Sequence, residues 1–146
     1  MYKYNKISKY NHQPMKKIDI DKNKKNIFFN VGNSIKRESK CKYIYIKSHP
    51  VKNIGHFNDI KENEIIHFVD CNINPIILLE DMDEVYVCTS QMGFEALMCG
   101  KKVHVFGVPF YGGWEATIDY QKCNRRNNKR SIEEIFIAYI FCVQNI

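Results

Sequence analysis

Thr89 and Ser90 follow the short apolar run Val85 to Cys88 and precede Gln91 to Cys99, a stretch with helical spacing that Gly100 stops. Hydroxyls in that place can cap the helix. The first helical turn also offers backbone N–H groups and the positive end of a dipole to an anion set above Ser90. A capping hydroxyl and a phosphate compete for the same donors, so the two readings are compatible, and the chemistry is that of a nucleotide-phosphate site. Gly93 has no Cβ and lets a ligand come close to the helix, which a cap alone does not require. Glu95 stands early in the helix, where a surface carboxylate is favoured by the dipole.

After one more predicted strand, Val103 to Phe106, comes the loop Gly107-Val-Pro-Phe-Tyr-Gly-Gly-Trp114. It reads either as a rigid aromatic turn or as a cover over a base or sugar, with Phe110 and Trp114 as donor contacts. Gly107 and Pro109 read as structural. Upstream, Lys47-Ser48-His49-Pro50 also follows a predicted strand. A lone histidine before proline is by itself more often structural, and Lys47 is either a strand-end lysine facing solvent or a second positive charge for a phosphate. Downstream, Arg125 and Arg126 belong to a basic run, Cys123 to Ser131, that is either solvated or paired with a donor carboxylate or phosphate.

The elements that must position these residues alternate. Strands are predicted at Asn26 to Val31, Lys42 to Lys47, Ile65 to Val69, Val85 to Cys88 and Val103 to Phe106. Helices are predicted at Pro75 to Met82, with Asn74 as N-cap and Pro75 at the first position, and at Gln91 to Cys99. A last helix, Ser131 to Val143, opens on Ser131 with Glu134 three residues later, and Ile132, Ile135, Phe136, Tyr139 and Ile140 recur at helical spacing. Alternation of this kind predicts an α/β fold, a Rossmann-like parallel sheet with flanking helices. Ligands of such sheets bind outside the carboxyl ends of the strands, and His49, Ser90 and the Pro109 loop would share that edge. Residues 1–25 read as a polar leader and 26–146 as the domain. No G-x-G-x-x-G follows a strand, which argues against a nicotinamide or flavin dinucleotide.

The chain has 146 residues, 45% hydrophobic and 13% aromatic, enough for one folded domain and unlike a disordered segment. Its net charge of +6 comes from separate clusters, Lys16 to Lys25, Lys36 to Lys47 and Lys122 to Arg130. Solvated basic surface is the expected reading, with peripheral attraction to an anionic membrane leaflet as the functional one and no nucleic acid implied. The 6 cysteines show no C-x-x-C pair and no metal-like histidine spacing, so reduced thiols and no metal are expected, with Cys88 and Cys99 as small core hydrophobes. No secretory signal and no apolar run of membrane-spanning length is present, so the expected location is the cytoplasm, including the inner face of the inner membrane.

Thr89-Ser90-Gln91-Met92-Gly93-Phe94-Glu95-Ala96-Leu97 and Gly107-Val-Pro-Phe-Tyr-Gly-Gly-Trp114 closely resemble the capsule polysaccharide biosynthesis family, over roughly residues 40–140. Members usually carry Gly-Trp-Gly, whereas here Glu115 stands in place of the second glycine. The resemblance implies one half of a GT-B glycosyltransferase, the nucleotide-binding C-terminal half of a retaining capsular β-Kdo transferase. Such an enzyme takes CMP-Kdo as donor, needs no metal cofactor, and builds the capsule's lipid-attached linker. It further implies that His49 is catalytic, stabilising the leaving CMP phosphate, and that Glu95 holds ribose hydroxyls. Lys47, Pro50, Thr89, Ser90 and Gly93 complete the implied nucleotide site. The acceptor, a lipid-linked sugar, would be met by the other half, for which this chain has no room. Two further classes stay open: a nucleotide-sugar epimerase half-domain, which would prefer UDP-sugars, and a non-catalytic remnant or interaction module. A half-cleft is also expected to leave Phe110, Tyr111 and Trp114 partly uncovered.

Overall fold

Side-chain alternation along the strands gives each of them two different faces, and that fixes how the chain is layered. The computed structural model describes residues 20, 26–30, 43–47, 61–69 and 73–143. Within them the strands are β1 (Asn26–Asn30), β2 (Tyr43–Lys47), β3 (Ile66–Val69), β4 (Glu84–Val87), β5 (Lys102–Val105) and β6 (Ile118–Asp119). The helices are α1 (Pro75–Glu80), α2 (Met92–Met98) and α3 (Ile132–Val143). All five strands expected from the sequence are present, with ends shifted by a residue, while β6 is additional. Two residues are too few to show a period.

The strands form one six-stranded sheet in the order β3-β2-β1-β4-β5-β6. Every pairing is parallel. This is the order of doubly wound nucleotide-binding sheets. The strand order reverses between β1 and β4, and sheets of this kind bind their ligands outside the carboxyl ends of the strands at such a reversal.

On one face Tyr45, Val69, Val85, Val87, Val103 and Val105 join residues of α1, α2 and α3 in the main core, together with Leu78, Leu79, Phe94, Leu97 and Ile135. The opposite face carries Ile27, Ile44, Ile46 and Tyr86 with Ile66 and Phe106. Glu84 and His104 are also buried, and the sequence reading did not single them out. The Glu84 carboxylate accepts from the Tyr86 hydroxyl and from Lys102 Nζ, each at 3.1 Å. His104 stacks on Tyr86 at 4.1 Å between ring centroids and meets the Tyr120 hydroxyl through Nδ1 at 3.1 Å. A buried carboxylate needs such partners because desolvation without them is costly. This network starts from the first residues of β4 and β5, the edge remote from the carboxyl ends of the strands.

Local chemistry explains the helix ends. Asn74 Oδ1 accepts from Ile76 N at 3.0 Å and Pro75 takes the first helical position of α1. Gly100, at φ +72, closes α2 with Gly100 N to Leu97 O and Lys101 N to Ala96 O, both 2.9 Å. At α3 the capping box forms in both directions, Ser131 N to Glu134 Oε2 at 2.8 Å and Glu134 N to Ser131 Oγ at 3.2 Å.

Candidate functional site

β4 ends at Val87, and Cys88 to Gln91 turn the chain into α2 at the carboxyl edge, beside the reversal of strand order between β1 and β4. Gln91 flanks the helix with αR angles and makes no side-chain cap. The capping group is the Ser90 hydroxyl, which accepts from Met92 N at 3.3 Å. Gly93 N donates to Ser90 O, and Phe94 N and Glu95 N both donate to Gln91 O. The amides of Met92 to Glu95, expected to be open to an anion, therefore already have partners. An anion at this end competes for them or uses amides ahead of Met92, and the dipole of a seven-residue helix adds to either. Thr89 and Cys88 are exposed and Ser90 is half-buried. Cys88 is thus a surface thiol at the strand end and not the core hydrophobe its apolar surroundings suggested.

The Pro109 loop lies against this turn. A Cβ on Gly107 would stand 2.7 Å from Thr89 Cγ2, and Gly107 N donates to Cys88 O at 3.2 Å. Tyr111 reaches under α2 and donates its hydroxyl to Ser90 O. Its exposure is 0%, which corrects the expectation of a partly uncovered ring. Burial, with smaller contributions from Cys88 and Glu95, pushes the Tyr111 phenol well above its usual range, so it remains a donor at neutral pH. The same contact explains Gly93. A Cβ there would meet the Tyr111 hydroxyl at 2.2 Å and Val87 Cγ2 at 2.7 Å, so the missing side chain makes room for the protein's own tyrosine, a different reason from the ligand approach inferred above.

Phe110 and Trp114 are half-buried and have packing partners. Phe110 stacks on Tyr139 of α3 at 4.4 Å and lies 5.0 Å from the Phe94 ring. Trp114 Nε1 donates to Phe110 O at 2.9 Å. Arg126 donates from Nη1 to Pro109 O and to Gly112 O, with its guanidinium 5.3 Å from the Trp114 ring centroid. Arg125, its neighbour, is exposed. The rigid-turn reading of the loop accordingly describes these contacts. Glu115, standing where the resembling family has glycine, adopts φ +63, a left-handed conformation that glycine takes without strain.

Lys47 ends β2 on the same edge. Ile46 and Tyr86 both pair with Phe29 of β1. Lys47 and Val87, one residue further along, therefore reach the same level, about 10 Å apart across β1 at the usual strand spacing. The Lys47 ammonium donates to Ile73 O at 2.5 Å, tying the end of β2 to the entry of α1. It is half-buried, neither the solvent-facing lysine nor a charge held only for a ligand. His49 and Pro50 lie outside the described residues, as does the 1–25 leader except Ile20, which packs into the main core. Glu95 is half-buried in the first turn of α2.

The structure thus brings Thr89, Ser90, Gly93, Glu95, Phe110, Trp114 and Arg126 into one region of the carboxyl edge, with Lys47 across β1. Tyr111 was missed as the residue that joins turn to loop, and Arg126 as the residue that ties the loop down. Both act over separations of 21 and 17 residues, which no local pattern reveals. Among the described residues no group of three or more His, Cys, Asp or Glu side chains is placed to hold a metal ion. Among them, too, no helix is long and apolar enough to cross a membrane.

Comparison with known proteins places this geometry. A family profile described as capsule polysaccharide biosynthesis protein matches residues 21–145. Capsule polysaccharide modification protein LipA of Neisseria meningitidis serogroup B is 39% identical over 105 residues, 65% of this chain and 15% of that protein. Lipopolysaccharide-processing protein LpsZ of Rhizobium meliloti is 50% identical over 74 residues, 47% of this chain and 17% of that protein. Among solved structures, the β-Kdo 2,4 transferase of Thermosulfurimonas dismutans KpsC superposes with a TM-score of 0.71 at 27% identity, covering 86% of this chain and 47% of that one. The β-Kdo 2,7 transferase of the same KpsC superposes with a TM-score of 0.59 at 27% identity, with the same coverage. The chain spans less than a fifth of the curated relatives and just under half of the solved transferases. With a profile covering most of its length and a sheet shared with Kdo transferases, the chain belongs to the capsule polysaccharide biosynthesis protein family.

Proposed function

We propose that this chain is the donor-binding half of a retaining glycosyltransferase that takes CMP-Kdo and builds the lipid-attached linker of a capsule. One observation carries the reading. The turn bearing Ser90 is clasped to the Pro109 loop at the carboxyl edge, beside the reversal of strand order, in a sheet that superposes on Kdo transferases. In transfer, the bond from the sugar's anomeric carbon to the phosphate oxygen breaks and the electron pair leaves on CMP. Charge grows on that phosphate, and groups that offset it more strongly in the transition state than in the ground state accelerate the step. Here those groups are the start of α2 behind Ser90, the Lys47 ammonium at the same edge and, two residues beyond Lys47 in sequence, His49. On this reading Glu95 holds the ribose hydroxyls, and Thr89 and Arg125, both exposed, meet phosphate or donor carboxylate. No metal takes part. The acceptor, a lipid-linked sugar, would be met by a second half outside the share of the solved transferases that this chain covers, which would put the reaction at the inner face of the inner membrane.

Calorimetric titration with CMP, UDP and CMP-Kdo, each with and without chelator, tests this. CMP and CMP-Kdo should bind equally well in both conditions and better than UDP. Affinity that disappears in chelator would contradict the metal-free site, and preference for UDP would favour an epimerase-like half-domain.

A further inference from the structure

Arg126 is placed to do something other than meet the donor. A guanidinium that pairs with a ligand's carboxylate or phosphate presents its fork outward. Here Nη1 is turned onto the chain's own backbone, donating to Pro109 O at 2.5 Å and Gly112 O at 2.7 Å. The guanidinium carbon lies over the Trp114 ring, 5.3 Å from its centroid, and the indole Nε1 donates to Phe110 O. Three carbonyls of one loop, those of residues 109, 110 and 112, are thereby committed to side chains from within the fold. The far end of the loop is fixed as well, by Arg130 N donating to Trp114 O at 3.1 Å. Its middle is fixed by Tyr111 on Ser90 O.

Resting on the donor-site reading above, we infer that Arg126 is a positioning residue, which holds the 109–114 loop in the path that lets the Ser90 turn and the loop receive one nucleotide together. Two physical consequences follow from the bonds. A carbonyl engaged by Arg126 cannot swing its oxygen toward an anionic donor, which it would repel. A loop pinned at three points loses little conformational freedom when the ligand arrives, so less of the binding free energy is spent on ordering it. Lysine in place of Arg126 keeps the positive charge but has a shorter stem and no delocalised guanidinium over the indole, so it should not hold both carbonyls that Nη1 reaches. Charge and positioning can therefore be separated by one substitution.

The test uses the full chain as wild type, Arg126→Lys and Arg126→Gln, with two readouts. Amide hydrogen exchange at Phe110 to Trp114 in the free protein needs no ligand, and both variants should speed it by about tenfold or more relative to amides of β4 and β5. CMP titration at low and high salt should show both variants weakened by about tenfold, with the dependence of affinity on salt unchanged from wild type. If Arg126→Lys binds CMP as wild type does while Arg126→Gln fails with a shallower salt dependence, the residue is a direct charge contact and the inference is overturned. Faster exchange with undiminished CMP affinity also overturns it. Should both variants unfold, Trp114→Phe keeps a smaller ring under the guanidinium and removes the Nε1 donor with part of the indole. It should weaken CMP by about threefold at unchanged salt dependence, and undiminished affinity there counts against the inference. A wild type that binds no CMP would instead remove the donor-site reading on which this rests.

Discussion

Gly93 shows how little a residue type says without its surroundings. In sequence, a glycine in the first turn of a helix beneath a phosphate site suggests room for a ligand, yet the space holds the Tyr111 hydroxyl. Gly93→Ala should therefore cost about 1 to 3 kcal/mol in denaturant unfolding, because the new methyl collides with a buried ring and with Val87. Adding Tyr111→Phe should recover part of that loss, and a double mutant no better than Gly93→Ala alone would mean the clash lies elsewhere. Glu115 is the converse case. Its left-handed backbone costs about 1 to 2 kcal/mol, while glycine there would give back about 0.4 to 1 kcal/mol in unfolded-chain entropy. Glu115→Gly should accordingly stabilise the fold by about 0.5 to 1 kcal/mol, read as a raised urea midpoint at unchanged slope. Glu95 tests the site and not the fold. If its carboxylate holds both ribose hydroxyls, Glu95→Ala should weaken CMP binding by about 1.5 to 3 kcal/mol with the melting temperature unchanged, and equal affinity would mark it as a helix-surface carboxylate.

Elements with a strong local signal were legible. The capping box of α3, the Asn74-Pro75 start of α1 and the Gly100 end of α2 rest on hydrogen bonds between residues two to five apart, so the sequence displays both partners. Ser131→Ala should cost about 1 kcal/mol, since it removes the acceptor for Glu134 N and one side of that reciprocal pair. An unaltered melting temperature would show that packing of α3 through Ile135 and Tyr139 holds the helix without the cap. Other features depend on pairs that sequence order does not bring together. The order β3-β2-β1-β4-β5-β6 is one, and β6 exists only because Ile118 and Asp119 find β5. The commitment of Lys47 to Ile73 O, Tyr111 to Ser90 O and Arg126 to the loop carbonyls belongs to the same class. So does the network of Glu84, Tyr86, Lys102 and His104, which gathers residues from β4 and β5. The sequence displayed the candidate site as a set of residues and hid which of them hold the others in place.

For the whole molecule, if the chain is the proposed donor half of a two-domain cleft, it should bind donor without turning it over. Positioning an acceptor against the donor can supply roughly 7 to 11 kcal/mol of the barrier, and a single domain cannot provide that. Incubated with CMP-Kdo and a lipid-linked acceptor, the chain alone should yield no product, and stoichiometric product would place acceptor site and catalytic group within these residues. On the proposed reading the nucleotide sits where the β4 to α2 turn meets the Pro109 loop. At 17.3 kDa the chain suits residue-resolved NMR, and titrating isotope-labelled protein with CMP in chelator locates the bound nucleotide. Saturable shifts should concentrate on the amides of Cys88 to Glu95, Val108 and Phe110 to Trp114, with residues near Glu84 and Lys102 unmoved. Shifts centred on the Glu84 edge of the sheet, or none at saturating CMP, would contradict that reading.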